Sequence, residues 1–338
     1  RMRLEWISAA ESVKFAQVMN EFTQRITELG ANRRLVDIRN ITDAEEKMSA
    51  SGSATTPVGA NCVRPPHYAD VAQTEEQMRK RAIELLNSGE VNRILAWKKG
   101  DFEYYPEPSF FTTAEEIEQD FVYNRFCAAN LTKYLMAAPW LGGRQFEGKT
   151  AIFLKPCDSH SFNRLLEENL ANREKTHIIG VACGGNVYVE EMEEIGLLEK
   201  CQVCEKTEHA VFDEVIGEVS RNPSKDRMEM VDALDAMTGE ERFAFWQEQL
   251  SKCIRCNACR NTCPVCNCKK CVFSGDNYDM VSKVNTTEFE GQMFHAVRAF
   301  HVAGRCSDCG ECSRTCPQDI PIHLLNRKLI KVDMQKGE

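Results

Sequence analysis

The chain has 338 residues, 43% of them hydrophobic, a mean hydropathy of −0.42 and no apolar run near the roughly 18 residues needed to cross a bilayer, which predicts no transmembrane role. A formal net charge of −9 argues against binding nucleic acid by neutralising phosphates. The 17 cysteines, an odd number in a long chain that opens on Arg1, Met2, Arg3, Leu4 and Glu5, argue against a secreted disulfide scaffold and for thiolate-bound metal in a reducing cytoplasm.

In chain order, Glu11 to Leu29 carries apolar residues at helical spacing with Gly30 as its stop. Met48 to Pro66 is rich in Ser, Gly, Ala, Thr and Pro and is expected to be an exposed connection. Thr74 to Asn87 is expected to be helical. Val91 to Trp97 and Asp101 to Tyr105 are expected as two strands around a Lys98-Lys99-Gly100 turn, and Ala114 to Ala137 as a helix.

The clearest unit follows. Thr150 to Leu154 and His177 to Ala182 have the continuous apolar character of buried parallel strands, and Ser159 to Leu170 between them has helical spacing. A right-handed βαβ crossover is predicted, and in such sheets ligands sit at the carboxyl ends of the strands. Those ends are Lys155-Pro156-Cys157-Asp158 and Cys183-Gly184-Gly185.

Beyond Arg221-Asn222-Pro223-Ser224 the character changes. Capping boxes at Thr238 to Glu241 and Thr287 to Glu290 open two helices, the second with Phe289, Met293, Val297 and Phe300 on one face. The charge changes as well, from −13 over residues 1–250 to +4 from Ser251 onward. A basic surround is what accumulating thiolate charge calls for. The expected organisation is an N-terminal helical segment and linker over 1–66, an α/β domain with a parallel βαβ core over 67–235, and an all-helical domain over 236–338.

Eleven cysteines fall between Cys253 and Cys316. Cys253, Cys256, Cys259, Cys263 and Pro264 repeat in spacing as Cys306, Cys309, Cys312, Cys316 and Pro317. This is the bacterial ferredoxin run, in which three closely spaced thiolates cap three corners of a 4Fe-4S cubane and the fourth cysteine crosses to the other cluster. By that rule one cluster takes Cys253, Cys256, Cys259 and Cys316, and the other takes Cys306, Cys309, Cys312 and Cys263. Zinc is the competing reading, but zinc sites use separated pairs and need neither the third close cysteine nor the proline.

Cys157, Cys183, Cys201 and Cys204 combine two strand-end thiols with a local Cys-x-x-Cys pair, a set that suits a third cluster, with zinc or plain buried thiols as the alternative. Cys266, Cys268 and Cys271 form a further set that needs a fourth donor to hold a fourth cluster. Cys127, expected within a helix, is preferred for that role over Cys62. His295 and His301 are assigned to the helix surface or to shielding a cluster rather than to ligation. His160 and Lys155, which flank Cys157, are read either as raising a cluster's potential or as solvent-exposed. Glu190 to Glu194 is read as a solvated face. Gly142-Gly143-Arg144 and Gly184-Gly185-Asn186 are read as turns, and without a Gly-x-Gly-x-x-Gly no dinucleotide fingerprint is present.

Two resemblances follow from these residues. Both cysteine runs, with Gly304 to Cys312, resemble the α-helical ferredoxin domains of heterodisulfide reductase small subunits and succinate dehydrogenase iron-sulfur subunits over about residues 240–330. Lys155 to Asp158, Ile179 to Gly185, Cys201 to Cys204 and Phe212 to Gly217 resemble the ordered signature of coenzyme F420-dependent hydrogenase and formate dehydrogenase beta subunits over about residues 90–217.

The second resemblance implies a 4Fe-4S cluster in the α/β domain, with FAD and the deazaflavin in F420-active members. Glu218 to Pro223 departs from the glycine- and aromatic-rich segment those members carry, so flavin-bound and flavin-free readings both stand at this point. The implied role is an electron-transfer subunit of an anaerobic redox complex, partnered by a heterodisulfide-reductase-type, formate dehydrogenase or hydrogenase module. Two other readings are a flavoenzyme acting on F420, a nicotinamide or ferredoxin, and a zinc- or cluster-stapled structural or redox-sensing protein.

Overall fold

The computed structural model describes residues 68–102, 104–135, 148–190, 194–206, 208–218, 225–268, 271–273 and 287–336. The expected helix at Glu11 to Leu29, the connection at Met48 to Pro66, Cys62, the Gly142 turn and the centre of the Glu190 to Glu194 run lie outside these residues. The described residues from 68 to 188 and from 195 to 336 form one compact unit.

Helix α1 (Tyr68–Asn87) precedes strands β1 (Arg93–Lys98) and β2 (Glu107–Phe111), which pair antiparallel with Ile94 opposite Phe111. The second strand therefore starts later than expected. A turn in which the Tyr105 N–H donates to the Phe102 carbonyl (2.9 Å) takes up the residues expected as strand, and pairing resumes at Glu107. Pro108 is tolerated because β2 is an edge strand.

The expected long helix after Ala114 is also broken. Helix α2 (Ala114–Asp120) is opened by a Thr113–Glu116 capping box and ends at Phe121, whose ψ of 137° is extended. Helix bonding gives way to pairing with the end of β1: the Val122 N–H donates to the Trp97 carbonyl at 3.0 Å and the Lys99 N–H to the Asp120 carbonyl at 2.8 Å. Cys127 consequently lies in irregular chain, and only the short α3 (Thr132–Leu135) follows.

Strand β3 (Thr150–Leu154), helix α4 (Pro156–Glu167) and β4 (Thr176–Val181) form the expected parallel unit. Every residue of both strands is buried, and side chains such as Ile152, Phe153 and Ile179 each contribute about 1.5–3 kcal/mol of apolar burial. A two-stranded sheet of β5 (Val187–Glu190) and β6 (Glu194–Leu197), helix α5 (Glu199–Gln202) and strand β7 (Glu214–Ile216) follow. The main sheet is mixed, in the order β2-β1-β3-β4-β7, with β1, β3, β4 and β7 parallel.

The segment Phe212 to Gly217 closes this sheet. The Asp213 carboxylate accepts from the Ile178 N–H at 2.7 Å and pairs with Arg173, and Glu214 meets His177 (2.8 Å) and Arg81 (2.9 Å). Gly217 has a positive φ of 78°, and a Cβ there would stand 2.8 Å from the Ala182 Cβ.

From residue 225 on, the described regular elements are α6 (Glu229–Ala236), α7 (Gly239–Ser251), α8 (Ala258–Thr262), α9 (Glu288–His301), α10 (Glu311–Arg314) and α11 (Ile322–Lys336). Both predicted capping boxes are formed, with Thr238 accepting from the Glu241 N–H and Thr287 from the Glu290 N–H. Phe289, Met293 and Phe300 of α9 are exposed, while Phe294 on another face packs with Leu250, Ile320 and Ile322.

Candidate metal centres

The two cysteine runs repeat in backbone as well as in sequence. In the first, Arg255 and Asn257 have φ of 54° and 63°; in the second, Asp308 and Gly310 have φ of 51° and 72°. The left-handed residues fold each Cys-x-x-Cys-x-x-Cys into a tight loop that turns amides inward. The Arg255 N–H donates to the Cys253 sulfur and the Asp308 N–H to the Cys306 sulfur, both at 3.4 Å. Asn257 and Gly310 then start α8 and α10, which pack against each other and carry Cys259 and Cys312.

Cys253, Cys256, Cys259 and Cys316 line one recess, with about 300 Å³ of atom-free space, walled by Phe294, His295, Ile320 and Ile322. The sequence-distant Cys316 thus stands with the first run. Cys263 in turn packs with Cys306 and Val302, and it acts electrostatically on the Cys306, Cys309 and Cys312 thiols. Burial pushes Cys309 and Cys312 up to about 12 and Cys259 up to about 11, a bias toward the protonated thiol that nearby cations oppose and metal binding reverses.

Cys157, Cys183, Cys201 and Cys204 line a second recess, with about 570 Å³ of atom-free space. It lies where the sequence placed it, at the carboxyl ends of β3 and β4. Cys157 occupies the first turn of α4, behind Pro156, where burial pushes its thiol well up and Lys200 and Lys155 oppose that shift. The Asn186 N–H donates to the Cys201 sulfur at 3.3 Å, and the Asn186 side-chain amide is fixed on the Arg125 carbonyl. This recess also reaches Asp308 and Cys309 of the second run.

The charges around it were not legible in the sequence. Lys155 is fully buried, not solvent-exposed: its Nζ donates to the carbonyls of Cys127 (2.8 Å) and Ala129 (3.0 Å), meets Asp158 at 3.0 Å, and lies 4.3 Å from the Trp97 ring centroid. Burial works against the Lys155 charge, but Asp158 and Cys157 outweigh it and hold the ammonium above its ordinary range. Lys200 is paired with Glu311, which lies between Cys309 and Cys312 and also accepts two bonds from Arg314 at 2.8 Å. Lys200 and Arg314 outweigh the effect of burial and hold the Glu311 carboxyl well below the usual range. His160 is half-buried and shifted down by burial.

His295 is buried rather than on the helix surface, and its Nε2 lies 3.2 Å from the Cys253 sulfur. Burial, with Arg298 and Arg255 nearby, pushes it down to about 3, so the imidazole is neutral and can donate through Nε2–H. His301 is exposed, as expected of a helix-surface residue. The signal for His295 was available: it stands one residue after Phe294, on the core face of α9.

Cys266 is pushed up to about 11 by burial, with Cys263, Lys133 and Cys271 acting on it; Cys271 accepts from Arg260 at 3.4 Å, and Cys268 is exposed. Cys127 sits elsewhere. It is fully buried in the sheet core, its sulfur near the Val122 carbonyl (3.8 Å) and Asn124 Oδ1 (3.6 Å), whereas Cys266 packs with Cys263 and Val302. Gly185 has a φ of 95° and precedes the anchored Asn186 beside Cys201.

The residues fit clustered iron and sulfide. All three nitrogens of buried Arg298 lack a hydrogen-bond partner among the described residues, while Cys312, Cys259, Cys263 and Cys266 act on its charge. A buried cation without acceptors is costly, and sulfide-rich anionic groups at these thiols would supply them.

Residues 249–320 match the 4Fe-4S dicluster domain family, which assigns two 4Fe-4S clusters to this region. The chain is 22% identical to the F420-dependent formate dehydrogenase subunit beta of Methanocaldococcus jannaschii, over 73% of this chain and 86% of that one. It is 23% identical to the F420-dependent formate dehydrogenase 1 subunit beta of Methanococcus maripaludis, over 72% and 84%. A structure of the F420-reducing NiFe hydrogenase complex from Methanosarcina barkeri aligns at 17% identity over 34% of this chain and 43% of that chain, with a TM-score of 0.25, too low to show a shared fold. Residues 249–320 are thus a 4Fe-4S dicluster domain, carried by a chain whose curated relatives are formate dehydrogenase beta subunits.

Proposed function

We propose that this chain is the iron-sulfur electron-transfer subunit of an anaerobic oxidoreductase complex in a reducing, cytoplasmic compartment, with a formate dehydrogenase or hydrogenase module as its partner. The observation that carries the reading is the grouping of thiols: Cys253, Cys256, Cys259 and Cys316 line one recess, and Cys157, Cys183, Cys201 and Cys204 line another that reaches Cys309 of the second run. In this reading these two quartets each hold a cluster, and Cys263, Cys306, Cys309 and Cys312 hold a third. The clusters, when bound, supply one-electron storage and transfer.

The chain's own residues set the conditions. The Arg255 and Asp308 amides and His295 donate to cysteine sulfurs and so favour added negative charge. Lys155 and Lys200 supply fixed positive charge beside the set of Cys157, Cys183, Cys201 and Cys204. Phe294, Ile320 and Ile322 exclude water from the first. The dicluster region is taken as wholly helical, since α6 to α11 are its described elements. Among the described residues no helix is long and apolar enough to cross a membrane, in keeping with a subunit that meets its partners through surfaces.

The test is anaerobic purification from the native host with iron, acid-labile sulfide, flavin and co-purifying chains determined together. About twelve iron and twelve sulfide per chain are expected for three cubanes. About sixteen would assign a fourth to the Cys266, Cys268 and Cys271 set. Zinc without sulfide overturns the reading, and a flavin released by acid would transfer the catalytic step to this chain.

A further inference from the structure

Arg298 is the least explained charged group in the described structure. It projects from the core side of α9, is 2% exposed, and none of its Nε, Nη1 and Nη2 atoms has a hydrogen-bond partner among the described residues. A guanidinium brings five N–H donors in a rigid fork and cannot shed its charge, so burying it unpaired is strongly unfavourable. A fold keeps such a group only where something anionic takes up its donors.

The groups acting most strongly on it are Cys312, Cys259, Cys263 and Cys266. No carboxylate stands among them. Cys259 belongs to the Cys253 set, and Cys312 and Cys263 to the Cys306 set. Along α9, His295 one turn before Arg298 meets the Cys253 sulfur at 3.2 Å and Val302 one turn after it packs with Cys263 and Cys306, so Arg298 stands on the helix between the two thiol sets. Other buried cations have partners. Lys155 is spent on two carbonyls and Asp158, Lys200 on Glu311, and Arg255 donates to the Glu290 carbonyl and stacks 4.3 Å from the Phe294 ring centroid.

We propose that Arg298 is a shared donor to both clusters of the dicluster domain, its fork divided between sulfur atoms of the group held by Cys253, Cys256, Cys259 and Cys316 and of the group held by Cys263, Cys306, Cys309 and Cys312. One permanent cation then favours the reduced form of both. The inference rests on the cluster reading above. Planarity matters to it: an ammonium is a point charge and cannot span two acceptors in the same way.

The test uses the full chain, purified anaerobically, with Arg298→Gln and Arg298→Lys beside the wild type. Iron and sulfide are counted first, which separates failure of the cluster reading from failure of this one. Redox titration followed by EPR then reads each cluster. In Arg298→Gln the midpoint potentials of both dicluster signals should fall, by at least a tenfold change in the reduced-to-oxidised ratio at fixed potential, about 59 mV for one electron. The signal dependent on Cys157 should stay in place. In Arg298→Lys the two potentials should move apart, the ammonium serving one cluster at the other's expense. Wild-type protein labelled with guanidino-15N arginine should show 15N coupling to both reduced clusters by pulsed EPR, and Arg298→Lys should remove it. This labelling decides the matter even if Arg298→Gln fails to assemble. Unchanged potentials, a shift in one cluster alone, or no 15N coupling removed by Arg298→Lys overturns the proposal.

Discussion

Lys200, at the start of the Cys201 loop, forms a buried ion pair with Glu311, the residue just before Cys312. The pair ties the α/β region to the dicluster region at the point where their thiol sets approach. Lys200 also donates to the Ala128 carbonyl at 3.0 Å, so one ammonium holds three segments. Lys200→Met should destabilise the chain by about 3–5 kcal/mol, because it leaves the Glu311 carboxylate buried with Arg314 alone. Lys200→Met/Glu311→Leu should cost less than the sum of the two single changes. Urea unfolding under anaerobic conditions, followed by tryptophan fluorescence and cluster absorbance, checks both.

Gly310 is fixed by the same contact. Its φ is 72°, and a Cβ there would stand 2.5 Å from the Lys200 Cβ, an atom that cannot swing away as a side-chain end could. Gly310→Ala should therefore cost at least about 1–2 kcal/mol from backbone conformation alone, with the clash added. Its iron content should fall at the set of Cys306, Cys309 and Cys312 before that of Cys253, as read from the separate EPR signals.

Cys316 and Cys127 make opposite predictions. Cys316→Ser should abolish the cluster held by Cys253, Cys256 and Cys259, since Cys316 lines their recess. Loss confined to the other cluster would show that no crossover exists. Cys127→Ala should leave the iron count unchanged and cost about 1–2 kcal/mol in stability, because its thiol is packed in the sheet core and pushed up to about 12 by burial.

Asp213 gives a pH dependence. Burial alone would raise its carboxyl, but bonds from Arg173 and the Ile178 N–H outweigh this and hold it below the usual range. A depressed folded-state value stabilises the fold above the unfolded value, near pH 4, and that stabilisation disappears as pH falls through the folded value. Asp213→Asn should lose about 1–2 kcal/mol at pH 7, allowing for its partial exposure. The gap to wild type should close below about pH 4 in paired urea titrations.

What the sequence showed and what it hid follow a physical division. β3, α4 and β4 were legible because a strand buried on both faces needs an unbroken apolar run and a packed helix needs its spacing, and both patterns are local. The capping boxes at Thr238 and Thr287 and the two cysteine runs are local too. Phe121 to Leu131 was read as a continued helix because its composition permits one. What ends α2 is pairing with Trp97 and Lys99, a partner 20 or more residues away that spacing does not reveal. The burial of Lys155 was hidden for the same reason: the carbonyls that receive its ammonium, those of Cys127 and Ala129, come from a distant part of the chain.

The paired left-handed residues carry a consequence for how such a site is identified. Arg255 and Asn257 in one run, and Asp308 and Gly310 in the other, hold a conformation that β-branched residues adopt only with strain. The specification of a cluster-binding run is therefore longer than its four cysteines. It includes two intervening positions barred to valine, isoleucine and threonine, beside a first intervening position, Ile254 or Ser307, where such residues are free to occur. A search pattern with those two restrictions added would reject chance cysteine spacings that the thiols alone admit, and it would do so on backbone grounds, whichever metal is in question.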